Sequence, residues 1–310
     1  MHRQRTLNRT VGCKGLGLHT GRVIQMKIHP APDDQGIVFV RKDVRSRAYI
    51  PAKLESVVDT TLATTLGADG SVVSTVEHLM SAFLGMGVDN ALVELDGPEV
   101  PIMDGSAAPF VYLLRSVGTR QQRRSKRFLI IQRPFHLSDG DKKVSFFPSD
   151  ELRISFSIQF KHPLIRDQFF RFSFSDRSYD REICKARTFG FLKDVEAMKN
   201  QGYALGGSLD NAVVLDDFRV LNDGGLRYSD EFVRHKILDC IGDLSLLGMP
   251  LIGHFVAHKA GHSLNHRLMK KVMDETEGWS VVEFPSLEAA RRVPYRLPSG
   301  GSLDVAPATA

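Results

Sequence analysis

The sequence predicts an α+β protein built as two similar domains, and three observations carry that expectation. The order strands-then-helix occurs twice. In each half an apolar helix is followed by a glycine- and methionine-containing turn, Gly85-Met86-Gly87 or Gly248-Met249, and then by a strand. At 310 residues the chain is long enough for two ordinary domains that each bury a core. Between the halves, Arg115, Arg120, Arg123, Arg124, Lys126 and Arg127 crowd a stretch with little apolar content, which reads as an interdomain linker. The expected boundaries are 1–122 and 128–290, with 291–310 a flexible tail of small and polar residues.

In the first half, residues 23–29 and 36–40 are rich in β-formers and flank an Ala31-Pro32-Asp33-Asp34 turn. The glycine-rich run 13–21, CKGLGLHTG, lacks the GxxxxGK[ST] spacing of a phosphate loop and reads as a turn using glycine backbone angles. Ser74 followed by Glu77 has the form of a capping box, starting a helix that ends near Gly85 or Gly87. A strand over 88–95 follows, then a Pro- and Gly-punctuated turn and a short helix around 110–114.

The second half places strands at 128–132, 144–147 and 152–160, a helix over 176–187 and an irregular stretch to about 217. A strongly periodic helix over 232–248 has Asp230 at its N-cap, and strand 251–258 comes next. The last helix spans 263–273 with Ser263 as its cap.

Composition narrows the class. Apolar and charged fractions of 42% and 25% are those of a soluble globular protein, not a disordered or fibrous one. A net charge of +5 suits an anionic ligand, and the basic stretch has no interleaved aromatics, so no nucleic acid is called for. Three scattered cysteines without a CxxC pair fit a reducing compartment. No secretory signal core follows the basic N-terminus, and no apolar run reaches the ~18 residues of a membrane span. A cytoplasmic monomer with at most peripheral membrane contact is expected.

The chemistry centres on two helices. His235, Asp239 and Asp243 fall at i, i+4 and i+8, so they share one helix face. An imidazole and a carboxylate one turn apart can hold a divalent cation, or can merely satisfy each other on a polar stripe. Glu77 and His78 on the other helix diverge by about 100°, so a metal on His78 leaves Glu77 free to reach a water beside it. His78, His235 and Asp239 make a ligand set of ordinary composition for Zn2+, and iron, nickel or cobalt fit the same atoms. Asp243 is placed to orient a histidine, and His262, after Gly261 and before a helix, suits a general acid or a group that holds an oxyanion. His19, His136, His162, His254 and His266 read as filler. The residues alone leave open a basic binding module for anionic ligands, or a metalloenzyme acting on some other substrate.

TVEHL, IMDGSAAPF, ARTFGF, LGGSLDNAVV, DEFVRHKILDCIGD and KAGHSLN, in that order, are together very similar to the UDP-3-O-acyl-N-acetylglucosamine deacetylase family, zinc enzymes of Gram-negative lipid A synthesis. The likeness runs to about residue 285. It implies two domains of one architecture, each a small sheet layered against helices, with the active site at the domain interface. It implies His78, His235 and Asp239 as ligands of one Zn2+ per chain, with Fe2+ an alternative. Glu77 corresponds to the general base and His262 to its partner, the division of their roles being left open. Thr188 corresponds to the residue polarising the amide carbonyl, and Asp243 to the acidic residue supporting His262. The resemblance further puts Phe189 in the substrate site, Lys236 and Lys259 near the nucleotide and sugar, and Phe160 near the uracil. Residues 191–214, with Leu192, Val195, Ala204, Gly207, Ala212 and Val214, resemble the family's acyl-chain passage. The expected activity is zinc-dependent release of acetate from an acylated UDP-amino sugar.

Overall fold

Strict alternation shapes the first sheet. In Val23–Pro30, Ile24, Met26 and Ile28 are fully buried while Val23, Gln25 and Lys27 are exposed, as a strand with one covered face requires. The computed structural model of the chain describes residues 3–44 and 47–284. In it Val23–Pro30 lies antiparallel between Val11–Leu16 and Ala91–Leu95. Ala91–Leu95 in turn runs parallel to Ile37–Arg41, which pairs back onto Ala48–Pro51.

The second sheet repeats this order strand for strand. Phe135–Asp139 pairs antiparallel with Lys142–Phe147, and Lys142–Phe147 with Leu251–His258. Leu251–His258 runs parallel to Leu152–Gln159, which pairs antiparallel with Asp167–Ser173. Arg127–Ile131 and Trp279–Glu283 extend this sheet to seven strands. In both sets of five strands the one entering between the second and third comes last in the chain, directly after a helix, so the recurrence in the sequence reflects a recurrence of topology.

The helices among the described residues are α1 (Glu77–Gly85), α2 (Ala108–Val117), the single turn α3 (Asp176–Ser178), α4 (Leu192–Asn200), α5 (Glu231–Ser245) and α6 (His262–Asp274). α2 lies on the first sheet, while α5 and α6 lie on the second. α1 and α5 pack directly against each other, and the contact demands glycine: a Cβ on Gly242 would sit 2.0 Å from the carbonyl oxygen of Glu77. Phe128, Ile130, Ile252 and Phe284 form a small cluster of their own, while most buried side chains of both sheets join through these helices into one contiguous cluster. Each fully buried Leu, Ile or Phe in it contributes about 1.5–3 kcal/mol.

Several expectations are corrected. Residues 115–127 are not a linker. Arg115 belongs to α2, and Thr119–Ser125 is a strand antiparallel to Arg3–Leu7, its charges mostly on the exposed side. Lys126 is buried and paired with Asp89 at 3.0 Å. The helix expected over 176–187 is α3 continuing as a π-helical turn over Tyr179–Ile183. The irregular stretch contains a parallel β-α-β unit, Phe189–Phe191, α4 and Val213–Leu215. The run read as a glycine turn begins as strand Val11–Leu16, and only its end turns. Of the three expected helix caps only Asp230 stands at its N-cap position, and none makes a side-chain capping bond. Val76, not Ser74, precedes α1; Asp230 bonds Arg234 instead of a backbone amide; and α6 starts at His262 after Gly261, not at Ser263. The tail 291–310 lies outside the described residues.

Candidate active site

The site forms where the first turn of α1 meets the middle of α5. His235 Nδ1 lies 3.1 Å from the carbonyl oxygen of Ala186. A carbonyl only accepts, so Nδ1 carries the proton and Nε2 presents a lone pair. That Nε2 is 3.3 Å from Asp239 Oδ1, and His78 Nε2 is 3.4 Å from the same oxygen. The two imidazoles stand edge to face, 5.0 Å between centroids. Asp239 Oδ1 is buried and accepts no hydrogen bond among the described residues. An orphaned carboxylate oxygen facing an imidazole lone pair is a repulsive arrangement until a cation joins it. One ligand atom from each of His78, His235 and Asp239 falls within 4.8 Å of the others, and the donor set fits a divalent metal ion.

The charge states agree with that fit. Burial pushes the His235 imidazole down to about 3 against the attraction of Asp239, leaving it neutral as a ligand must be. Burial opposes ionisation of Asp239, yet His235, Lys236 and His78 hold its carboxyl well below the usual range. Lys236 Nζ donates to Asp239 Oδ2 at 3.0 Å.

Glu77 is the first residue of α1 but caps nothing; Oε2 accepts the amide of Thr64 at 3.1 Å. Burial raises its carboxyl, partly offset by His262 and His78, so it is well suited to take a proton. His262 Nε2 stands 3.9 Å from Glu77 Oε1, and its Nδ1 is 2.9 Å from Asp243 Oδ2. Asp243 also accepts from Thr64 Oγ1 at 2.7 Å and from Asn265 Nδ2 at 3.0 Å. Burial would lower the His262 pKa, but Asp243, Glu77 and Asp239 outweigh it and raise it to about 10. The site thus holds a proton acceptor and an imidazolium side by side.

These groups open onto a cavity of about 410 Å³ with a mainly apolar lining. Thr188, Phe189, Leu192, Val195, Ala204, Gly207, Ala212, Val214 and Lys236, all expected in the substrate site, line it. Thr188 is held from both sides: its amide donates to Gly105 O at 2.8 Å and its carbonyl accepts from Val213 at 2.7 Å. Three expected residues stand back from the wall. Phe160 packs edge-on against Phe189 with centroids 5.7 Å apart, Asp243 lies behind His262, and Lys259 Nζ bonds Asp141 and Gln159. His19, read as filler, does line the cavity. Its amide donates to buried Glu99 at 2.8 Å and its ring stands edge-on to Tyr203. The signal was present in the GLGLHTG turn, whose glycines allow a tight loop that Glu99 clamps through the amides of His19 and Thr20. Thr64 carried no local signal.

Activating water with a carboxylate beside a metal is hydrolase chemistry, and a hydrolase is the class to which this fold and site belong. The comparison with known proteins is more specific. The family model for UDP-3-O-acyl N-acetylglycosamine deacetylase matches residues 4–274, and the chain belongs to that family. A relative from Myxococcus xanthus is 55% identical over 281 residues, covering 91% of this chain and 90% of its own. Relatives from Syntrophus aciditrophicus and Acidithiobacillus ferrooxidans are each 51% identical, over 290 and 298 residues. They cover 94% and 95% of this chain, and 92% and 96% of their own. All three are named UDP-3-O-acyl-N-acetylglucosamine deacetylase. No helix among the described residues is long and apolar enough to cross a membrane.

Proposed function

We propose that the chain hydrolyses the N-acetyl group of UDP-3-O-acyl-N-acetylglucosamine, releasing acetate in the lipid A pathway, with one zinc ion per chain. The supporting observation is the convergence of His78, His235 and Asp239 beside Glu77 and His262 at the head of an apolar cavity. Zinc held by the three ligands would supply a Lewis acid that eases deprotonation of water and polarises the amide carbonyl. Glu77 takes the proton of the attacking water. The Thr188 hydroxyl steadies the oxygen on which negative charge develops. His262, kept protonated by Asp243, gives a proton to the amine as the C–N bond breaks, or stabilises the developing charge by its field. Lys236 and Phe160 serve the nucleotide-sugar end, and the cavity takes the acyl chain.

The chain divides into units 1–122 and 128–290 around this site. The repeated strand order supports the division.

The test is metal content measured beside acetate release. Wild type should carry one zinc per chain and turn over the acyl UDP-sugar. Asp239→Ala should lose both while its circular dichroism stays native. A fully zinc-loaded Asp239→Ala protein would overturn the ligand assignment.

A further inference from the structure

We propose that Thr64 is the positioning residue that ties the two proton-handling groups of the site to each other. It rests on the deacetylase function above. Thr64 lies between strands Val57–Asp59 and Thr65–Ala68 and is 2% exposed. All three of its polar groups are engaged. The amide donates to Glu77 Oε2 at 3.1 Å, and the carbonyl accepts the amide of Val76 at 3.3 Å, fixing the entry to α1. The hydroxyl lies 2.7 Å from Asp243 Oδ1 and 3.3 Å from His262 Nδ1.

The direction of these bonds follows from the inventory of donors. A carboxylate only accepts, so the hydroxyl proton goes to Asp243 Oδ1. His262 Nδ1–H faces both oxygens, 2.9 Å from Oδ2 and 3.1 Å from Oδ1, and Oδ2 also accepts from Asn265 Nδ2–H at 3.0 Å. Thr64 and Asn265, one on each oxygen, stop the carboxylate from rotating, and the carboxylate sets the imidazole plane. On the other side, the Thr64 amide holds Glu77 Oε2 and leaves Oε1 facing His262 Nε2 across 3.9 Å. That separation is too long for a hydrogen bond. It is the gap across which base and acid must both reach the reacting atoms. Glu77 comes from α1, Asp243 from α5 and His262 from α6, so one residue registers three helices. Misplacing such groups by about 1 Å can cost on the order of 10²-fold in rate.

The experiment uses full-length protein and two variants. Thr64→Val keeps the shape and the backbone amide but removes the hydroxyl, while Thr64→Ser restores it. Thr64→Val should lower kcat by about tenfold or more, with KM changed by less than about threefold. Its metal content and Tm should stay close to wild type. Thr64→Ser should recover kcat to within about threefold of wild type. In protein labelled with 15N-histidine, the His262 Nδ1–H resonance should move in the valine variant and return in the serine variant. In an Asp243→Asn background the valine change should add little, because it acts through Asp243. If Thr64→Val unfolds, Thr64→Ala removes the same hydroxyl without added bulk. Wild-type kcat in the valine or alanine variant, an unmoved His262 resonance, or an equal loss in the serine variant would overturn the proposal. Absence of turnover by wild type would instead overturn the deacetylase function, and the resonance would still report on Thr64.

Discussion

Glu77 stands where a helix-capping residue would, yet its bond is to the Thr64 amide of another segment. Glutamine can accept that same bond but cannot take a proton. Glu77→Gln should therefore keep fold and metal and lose on the order of 10²-fold or more in kcat. Full turnover by this variant would leave Glu77 a purely structural role. A second carboxyl makes a prediction about stability. Asp176 Oδ1 is buried without a hydrogen-bond partner, and burial raises its pKa to about 6 against Arg5 and Lys126. The folded state then binds this proton more tightly than the unfolded state, whose value is near 3.8. The contribution of Asp176 to stability is present below pH 3.8 and is lost as pH rises through about 6. Asp176→Asn should raise Tm at pH 7–8, and the gain should vanish near pH 4; thermal melts across that range decide it. How much of the site could be read in advance depends on where each residue's partners lie. His235 and Asp239 are one helical turn apart, so periodicity places them together. Thr64 meets Asp243 and His262 across 179 and 198 residues, a distance no local pattern encodes.

At the scale of elements, α1 and α5 are both buried on nearly every side, so they were legible from the helical spacing of their apolar residues and from the Gly-Met turns that end them, not from a polar face. α4 is the opposite case. None of its residues is fully buried, and its apolar side chains Val195 and Met198 face the cavity instead of a core, so the segment looked irregular. The strand Thr119–Ser125 was hidden by its arginines, which are compatible with an edge pairing but carry no hydrophobic alternation. The α1–α5 contact gives the element-scale prediction. Gly242→Ala pushes a methyl group against the Glu77 carbonyl, where backbone and not a flexible side chain must give way. It should cost about 1–3 kcal/mol of stability. It should also weaken metal binding, since His78 and Asp239 lie on the two helices forced apart. Gly224→Ala, where no atom lies within 4 Å, is the control and should be neutral. Metal titrations and melts on both variants test this, and an unaffected Gly242→Ala protein would mean the helices can separate without disturbing the site.

Across the whole molecule, two sheets of the same strand order bring α1 and α5 together, and each half supplies part of the chemistry: Glu77, His78 and Thr64 from one, His235, Asp239 and His262 from the other. The cavity is shared as well. Its far wall is the β-α-β unit of the second half, while Leu18, His19 and Leu62 close it from the first. If the acyl chain lies there, each buried methylene is worth about 0.8 kcal/mol, and several should outweigh what screened charges on the nucleotide contribute. UDP-N-acetylglucosamine without the 3-O-acyl chain should then be deacetylated far less efficiently. Part of that loss should fall on kcat, because binding energy remote from the amide helps hold the carbonyl against Thr188 and Glu77. Ala212 and Val214 line the cavity and are not among the metal-binding residues. Ala212→Asp or Val214→Asp would put an unpaired carboxylate on an apolar wall, which penalises the acylated substrate and leaves the slow rate on the unacylated one little changed. The measurement is kcat/KM for both substrates on wild type and on Ala212→Asp. Equal efficiency for the two substrates on wild type, or an equal loss for both on the variant, would show that the acyl chain does not occupy this cavity.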